Sequence, residues 1–336
     1  MPGTALCKHG VVRSSQQPRR AGPRMNHLEA ENYTKITSFI LVGVSEQPVL
    51  QIILFLLGLT MYLITIIGNS LIIVLIVLDA HLHTPMYFFL SNLSLLDICG
   101  STTTAPQSLI NCLRDYPSIS YNACYAEMGI SLCFAVTECF LLAIMAYDRF
   151  VAISSPLRYT VIMNKAVCLG LAATSWLVSF LVSVIPLLVT PVSFCGQNVV
   201  NHFACEMQAV MKLVCSDTST SLVLLFVGSV FTLVFPFGLI IISYLRILAA
   251  VLKIRSAEGR RKAFSTCGSH LTVVTIYYGT LIYMYVKPQS KESEDKDKII
   301  SIFYGAVTPM LNPLIYTLRN KDVKGALKKI TGKAKA

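Results

Sequence analysis

Charge is what this chain has least of. Asp, Glu, Lys and Arg together make up 13% of its 336 residues, against 54% hydrophobic, which is about half the charged share usual in a soluble domain. A soluble globular protein is excluded on that ground. The scarcity is also patterned. Residues 47–78, 166–205, 218–245, 263–286 and 299–318 contain no formally charged side chain. The window from Asp79 to Arg114 holds one acid, Asp97, and a further long apolar stretch runs from Asp115 to Arg158. Each of these seven windows is long enough for a membrane span of about 20 residues. Other things are missing too. Residues 1–24 are polar, basic and rich in Pro and Arg, with no apolar core resembling a signal peptide. There is no internal repeat, which a transporter would be expected to carry. No nucleophile–base or metal cluster accompanies the intramembrane acids, so an intramembrane enzyme is disfavoured. His81 and His83 have no third ligand to make a metal site with. No nucleic-acid motif lies behind the net charge of +11, which reads as membrane topology and attraction to an anionic leaflet. No cofactor is implied.

The fold class this predicts is all-α: a seven-transmembrane helix bundle, multi-pass in the plasma membrane. Seven is odd, so the termini face opposite sides of the bilayer. With the N-terminus outside, the inner segments carry Arg149, Arg158 and Lys165, then Arg246, Lys253, Arg255, Arg260, Arg261 and Lys262, then the run from Arg319 to Lys335. That places 16 of the 28 Lys and Arg residues inside, the orientation favoured by the positive-inside rule. The chain then divides into an extracellular tail at 1–49, a seven-transmembrane domain at 50–318 and a cytoplasmic tail at 319–336. Residues 1–24 read as disordered or as an alternative start, with Met25 opening an ordinary short outer tail. Asn32-Tyr33-Thr34 is a glycosylation sequon about 18 residues before the first span, so it clears the membrane. In the inner tail, Val323, Leu327 and Ile330 recur at four and three residues among lysines, the pattern of a short amphipathic helix lying on the inner leaflet.

The third span organises the rest. It ends in Met145-Ala146-Tyr147-Asp148-Arg149, an adjacent acid and base where an apolar helix meets the inner face. Glu138, Leu142, Met145 and Arg149 recur at four, three and four residues and share one face, which Ala135 and Ser131 extend upward. Cys124 lies 25 residues before Arg149, roughly 37 Å at 1.5 Å per residue, enough to cross the hydrocarbon core. Asp97 and Glu138 are carboxylates inside spans, where such groups are rare and normally face a polar interior. Gly68-Asn69 sets a small residue beside an amide in the first span. Asn312-Pro313 weakens the seventh, because Pro lacks the N–H its helix needs. Eleven cysteines divide by topology, and four of them, Cys124, Cys195, Cys205 and Cys215, fall at the oxidising outer face. Four cysteines allow three pairings, among which spacing does not choose.

From about Asn26 to Ile330 the chain resembles the rhodopsin-like receptors, and among them the olfactory receptors. The motifs that carry the likeness are Gly68-Asn69, Leu82-His83-Thr84-Pro85-Met86-Tyr87, Met145-Ala146-Tyr147-Asp148-Arg149, Ser243-Tyr244, Lys262-Ala263-Phe264-Ser265-Thr266-Cys267 followed by Ser269-His270, and Pro309-Met310-Leu311-Asn312-Pro313-Leu314-Ile315-Tyr316. The sixth span has Tyr277-Tyr278-Gly279 and no Trp-containing motif, as in olfactory members. Phe150 stands where Tyr is usual, Ser154 where Cys is common, and residues 1–24 extend the normal start.

The resemblance implies a receptor for a small-molecule odorant that activates a heterotrimeric G protein, with cyclic AMP as the signal. It implies that Arg149 is held by Asp148 at rest and meets the G protein when the sixth span swings out. It implies a polar switch network of Asn69, Asp97, Glu138, Asn312 and Tyr316, and the disulfides Cys124–Cys205 and Cys195–Cys215. Pocket depth set by Cys124 above and Glu138 below leaves Ser131, Leu132, Ala135 and Val136 on the third span. The family pattern adds Tyr278, Leu281 and Tyr285 from the sixth span, and Glu206 and Met207 from the outer loop. Amine receptors of the superfamily carry an Asp where Ser131 stands, seven residues after the bridging Cys. Without it a buried ammonium would cost several kcal/mol, so the expected ligand is small, neutral and mostly apolar. The alternatives are a non-olfactory rhodopsin-like receptor for another small molecule and, further off, a transporter.

Overall fold

A computed structural model describes residues 36–45, 47–189, 194, 198–215, 223, 227–254, 256–286, 294–319, 321–330 and 332. Seven long helices are present among them. They are α1 (Pro48–Leu78), α2 (Pro85–Cys112), α3 (Tyr121–Ser154), α4 (Lys165–Val189), α5 (Val227–Leu252), α6 (Ala257–Val286) and α7. The last is built from Glu294–Ile302 and Thr308–Arg319 joined by a π turn at Phe303–Val307. A short α8 (Lys321–Ile330) follows. By length and apolarity alone five of the seven, α1, α3, α4, α5 and α7, are able to cross a membrane. The other two are as long but more polar. Ser, Thr and Asn recur through α2, and the N-terminal end of α6 is charged.

Prolines mark where helices start and bend. Pro48 and Pro85 open α1 and α2, where a missing N–H costs nothing. Pro106, Pro186 and Pro313 lie inside α2, α4 and α7. A π turn at Val230–Val234 precedes Pro236 in α5. Such turns re-satisfy backbone groups in a helix that has lost its regular bonding.

The packing has α3 at its centre. It touches α2, α4, α5 and α6, and 61% of its most apolar window is buried, against 22–33% for the other four. Exposed Leu, Ile and Val side chains on α1, α4 and α5, such as Leu56, Ile67, Leu177 and Leu245, face outward, which in a membrane means toward lipid rather than water. One apolar core runs from Leu75 and Leu93 through Leu141, Leu142 and Met145 to Tyr277 and Tyr316.

At the inner end α8 turns back onto this core and buries Val323 and Ala326, with Leu327 packed beside them. Tyr87 donates to Asp322 (3.1 Å), and Lys329 pairs with Asp79 (3.1 Å) in the first inner turn. Hydrogen bonds from His81, and then from Lys329, hold the Asp79 carboxyl down at about 2. Lys324, Lys328 and Lys329 stay exposed on the other face.

The outer end adds something the all-α expectation lacked. Three short strands, β1 (Ser38–Leu41), β2 (Ser118–Ser120) and β3 (Val199–Val200), form a sheet in the order β2-β1-β3. The pair β1–β2 is antiparallel and β1–β3 parallel. Two to four residues are too few for an alternation to register. Phe39 and Leu41 drop from this sheet into a second apolar cluster with Ile119, Met128, Phe194 and Val200. The segment before α1 is therefore clamped between the first and second outer loops and caps the bundle.

Candidate functional site

At the top of α3 the lid is covalent. Cys124 is bonded to Cys205, with their Cα atoms 5.3 Å apart and 81 residues between them in sequence. Cys215 is also in a disulfide. Its expected partner, Cys195, lies outside the described residues, as does the sequon Asn32. The neighbouring Phe194 and Val214 form an antiparallel bridge that brings the two segments together.

Beside the Cys124–Cys205 bond the second outer loop is tied to α7. His202 Nε2 lies 2.8 Å from Glu206 Oε2 and 3.1 Å from Ser301 Oγ, and Ser301 donates to Glu206 at 3.0 Å. Burial pushes the Glu206 carboxyl up, but hydrogen bonds from His202, Ser301 and Tyr304 outweigh it and hold the group below its ordinary range. Met207 packs half-buried against the lid cluster. Sequence reasoning flagged Glu206 alone and missed His202 and Ser301, because they meet only through the fold.

Below the lid, Leu132 and Ala135 are half-buried, Val136 is buried, and the Ser131 Oγ is buried without a hydrogen-bond partner among the described residues. A tyrosine floor closes the region on the α6 side. Tyr277 donates to the Ala135 carbonyl (2.7 Å) and Tyr278 to the Cys139 carbonyl (3.1 Å). The Tyr278 ring packs on Phe237, with Leu281 buried one turn above. With its hydroxyl committed to backbone, Tyr278 offers a ligand only its ring. The Tyr285 side chain lies outside the described residues.

The polar core comes next. Asn312 donates to Asp97 at 2.9 Å, and Glu138 lies close enough to feel both. Asn69 donates to the Thr65 and Pro309 carbonyls, at 3.0 and 3.1 Å, joining α1 to α7. Gly68 explains how the two helices come that near: a Cβ there would stand 2.8 Å from the Pro313 ring. Tyr316 is buried within electrostatic reach of Asp97 and Glu138 above and Arg149 below, so it spans the two charge centres.

At the inner end of α3, Asp148 and Arg149 are both buried. Asp148 Oδ1 accepts from Tyr159 of the second inner loop at 2.7 Å, with the Arg149 charge beside it. About two turns higher, His270 of α6 stands between α5 and α3. Its Nε2 is 3.1 Å from the Leu142 carbonyl, which only accepts, so Nε2 donates and Nδ1 takes the Tyr244 hydroxyl at 2.8 Å. His270 is wholly buried, and this rung staples α6 to α3 and α5 within electrostatic reach of the Arg149 charge. The motifs Ser243-Tyr244 and Ser269-His270 pointed to these helices without saying that the two residues touch. Tyr159 carried no signal in sequence at all. Among the described residues no group of His, Cys, Asp and Glu could hold a metal ion.

Seven helices around a central third, a disulfide from its top to the second outer loop, a buried amide–carboxylate core and an Asp-Arg pair at the inner end define a rhodopsin-like, G-protein-coupled receptor. The chain belongs to the olfactory receptor family. The model of that family, described as olfactory receptor, matches residues 59–333. Among curated relatives, human olfactory receptor 13H1 is 54% identical over 303 residues, covering 90% of this chain and 98% of that one. Human olfactory receptor 13D1 is 49% identical over 307 residues (91% and 89%), and mouse olfactory receptor 8U3 is 48% identical over 303 (90% and 95%). The protein is thus a multi-pass plasma-membrane odorant receptor that signals through a G protein, and it is not an enzyme.

Proposed function

We propose that the odorant is a small, neutral, mostly apolar volatile with one oxygen function, and that its binding drives a stimulatory G protein and raises cyclic AMP. The observation that carries this reading is Ser131: a buried hydroxyl with no partner among the described residues, flanked by Leu132, Ala135 and Val136 on α3. Apolar walls reward apolar area at about 25 cal/mol per Å², and one hydroxyl selects an oxygen group. Leu281 and the Tyr278 ring form the α6 side, to which the family resemblance adds Tyr285, and Met207 the lid, while Glu206 closes the mouth through His202 and Ser301. Agonist entry displaces the tyrosine floor and α6, and the rearrangement reaches Arg149 through Asn69, Asp97, Glu138, Asn312 and Tyr316. Asp148 and Arg149 then engage the G protein, while Lys324 and Lys328 hold α8 to anionic lipid.

The experiment is a matched series of equal chain length, as alcohol, aldehyde, carboxylate and primary amine, read as cyclic AMP in cells displaying the receptor. Responses to the alcohol or aldehyde at concentrations where the carboxylate and amine are silent are expected. Responses confined to the amine would replace this reading with that of an amine receptor.

A further inference from the structure

One turn above Ser131 on the same face of α3 lies Glu127, a carboxylate that is 95% buried, its side chain only 5% exposed. Neither of its oxygens has a hydrogen-bond partner among the described residues. It lies near the Cys205 backbone amide and His202 without a bond of normal geometry to either. His202 has nothing to spare for it: Nε2 is taken by Glu206 and Ser301, and Nδ1 faces the Ala204 backbone at 3.0–3.1 Å. A carboxylate in that position costs several kcal/mol unless something donates to it. Ser131 below is the second buried polar group on this face with no partner. Two unpartnered groups a single turn apart, beneath the disulfide and above the tyrosine floor, mark a place where a ligand supplies the missing bonds.

The chemistry of the two groups is different, and that difference selects the ligand. A carboxylate only accepts; a serine hydroxyl both donates and accepts. Residues four apart on a helix hold their Cβ atoms about 5–6 Å apart. One ligand oxygen making two O–H···O bonds of about 2.7 Å at a tetrahedral angle bridges oxygens about 4.4 Å apart, a separation that side chains one turn apart can present. An alcohol meets both demands with one atom, donating its proton to Glu127 and accepting from Ser131; a primary ammonium could donate to both, so the amine arm of the series separates the two classes. A carbonyl or ether oxygen accepts from Ser131 but turns lone pairs toward Glu127.

We propose that Glu127 and Ser131 form a hydroxyl-selective subsite, so that this receptor prefers alcohols to the aldehydes and ethers of the same carbon skeleton. The proposal rests on the neutral-volatile reading above and narrows it. Glu127 is then a specificity-determining residue, and its replacement changes the order of ligands rather than only the size of the response.

The test is a set of concentration–response curves for cyclic AMP at matched surface expression, using a straight-chain primary alcohol with its aldehyde, methyl ether and primary amine. Wild type should favour the alcohol over the aldehyde and ether by about tenfold or more, the scale of one charge-assisted hydrogen bond. In Glu127→Gln the amide N–H can donate to a carbonyl, so the alcohol should weaken about tenfold while the aldehyde holds or improves. Glu127→Met, which removes the acceptor without adding a donor, should bring alcohol and ether together. Ser131→Ala should weaken alcohol and aldehyde alike. A merely structural role for Glu127 would move every ligand in the same direction, and that result overturns the subsite. So does a wild type that responds equally to alcohol and ether, or one whose amine response is the strongest and vanishes in Glu127→Gln. A wild type silent to the whole series overturns the neutral-volatile reading and the subsite with it. A wild type that answers the series, but whose alcohol response is indifferent to Glu127, overturns the subsite alone.

Discussion

Arg149→Ala abolishes odorant-driven cyclic AMP while leaving the receptor at the cell surface. The expectation follows from what surrounds the guanidinium. It is buried at the inner end of α3, beside Asp148 and within electrostatic reach of Tyr244, His270 and Tyr316. Those residues come from α5, α6 and α7, the elements whose movement would open a path for a partner from the inner side. Arginine is the one side chain that stays charged in such a place and presents five donors in a fixed fork. Removing it takes away the group proposed to meet the partner and touches nothing in the proposed ligand region, more than three turns above. Folding survives because Asp148 keeps its hydrogen bond from Tyr159, so the carboxylate is not left bare. The maximal response should therefore vanish with surface staining unchanged, and Arg149→Lys, which keeps the charge and loses the fork, should recover part of it. Full signalling by Arg149→Ala at matched expression would contradict the assignment.

Cys124→Ser and Cys205→Ser each retain the receptor in the secretory pathway, and the double variant is no worse than either alone. The bond joins the top of α3 to a loop whose neighbours are fixed by β3 on one side and by the His202–Glu206–Ser301 cluster on the other. Losing a native disulfide typically costs about 2–5 kcal/mol in a small domain, a large fraction of a total stability of about 5–15 kcal/mol. Both single variants break the same bond, so their effects overlap instead of adding. Surface biotinylation and glycan maturation measure retention directly. A double variant much worse than the singles would mean that the two cysteines act separately.

How far the sequence carried these conclusions differs from residue to residue. The bundle was legible because its physics is local: an uncharged window of about 20 residues means a span wherever it falls. Asp97 and Glu138 stood out for the same reason, as polar groups where lipid makes them costly, while Asn312 was marked by the proline beside it and by the family resemblance. Glu127 obeys that rule equally well, yet it sits so near the helix start that it passes for an interfacial residue; only its burial marks it. The lid was illegible. Strands of two to four residues carry no periodicity, and the pairs Ser38–Ser120 and Ile40–Val199 join segments far apart in the chain. The contacts of His202 with Ser301, and of His270 with Tyr244 and Leu142, join residues 99, 26 and 128 positions apart. Motifs named Tyr244 and His270 and none named His202 or Ser301; in both clusters only the packing of distant segments determines that the residues touch. Gly68 lies between these cases. It read as a small residue in a span, and the ring of Pro313 against it supplies the reason for its size.

The central claim is that a neutral volatile at the outer half of α3 is read out by a stimulatory G protein at its inner end. The most direct measurement is cyclic AMP in cells that lack the stimulatory α subunit, displaying the wild-type receptor and challenged with a panel of neutral odorants before and after that subunit is restored. A response present only after restoration, and absent in Arg149→Ala, is the result this account predicts. A response to odorant that persists without the subunit, or none to any neutral volatile once it is restored, would contradict it.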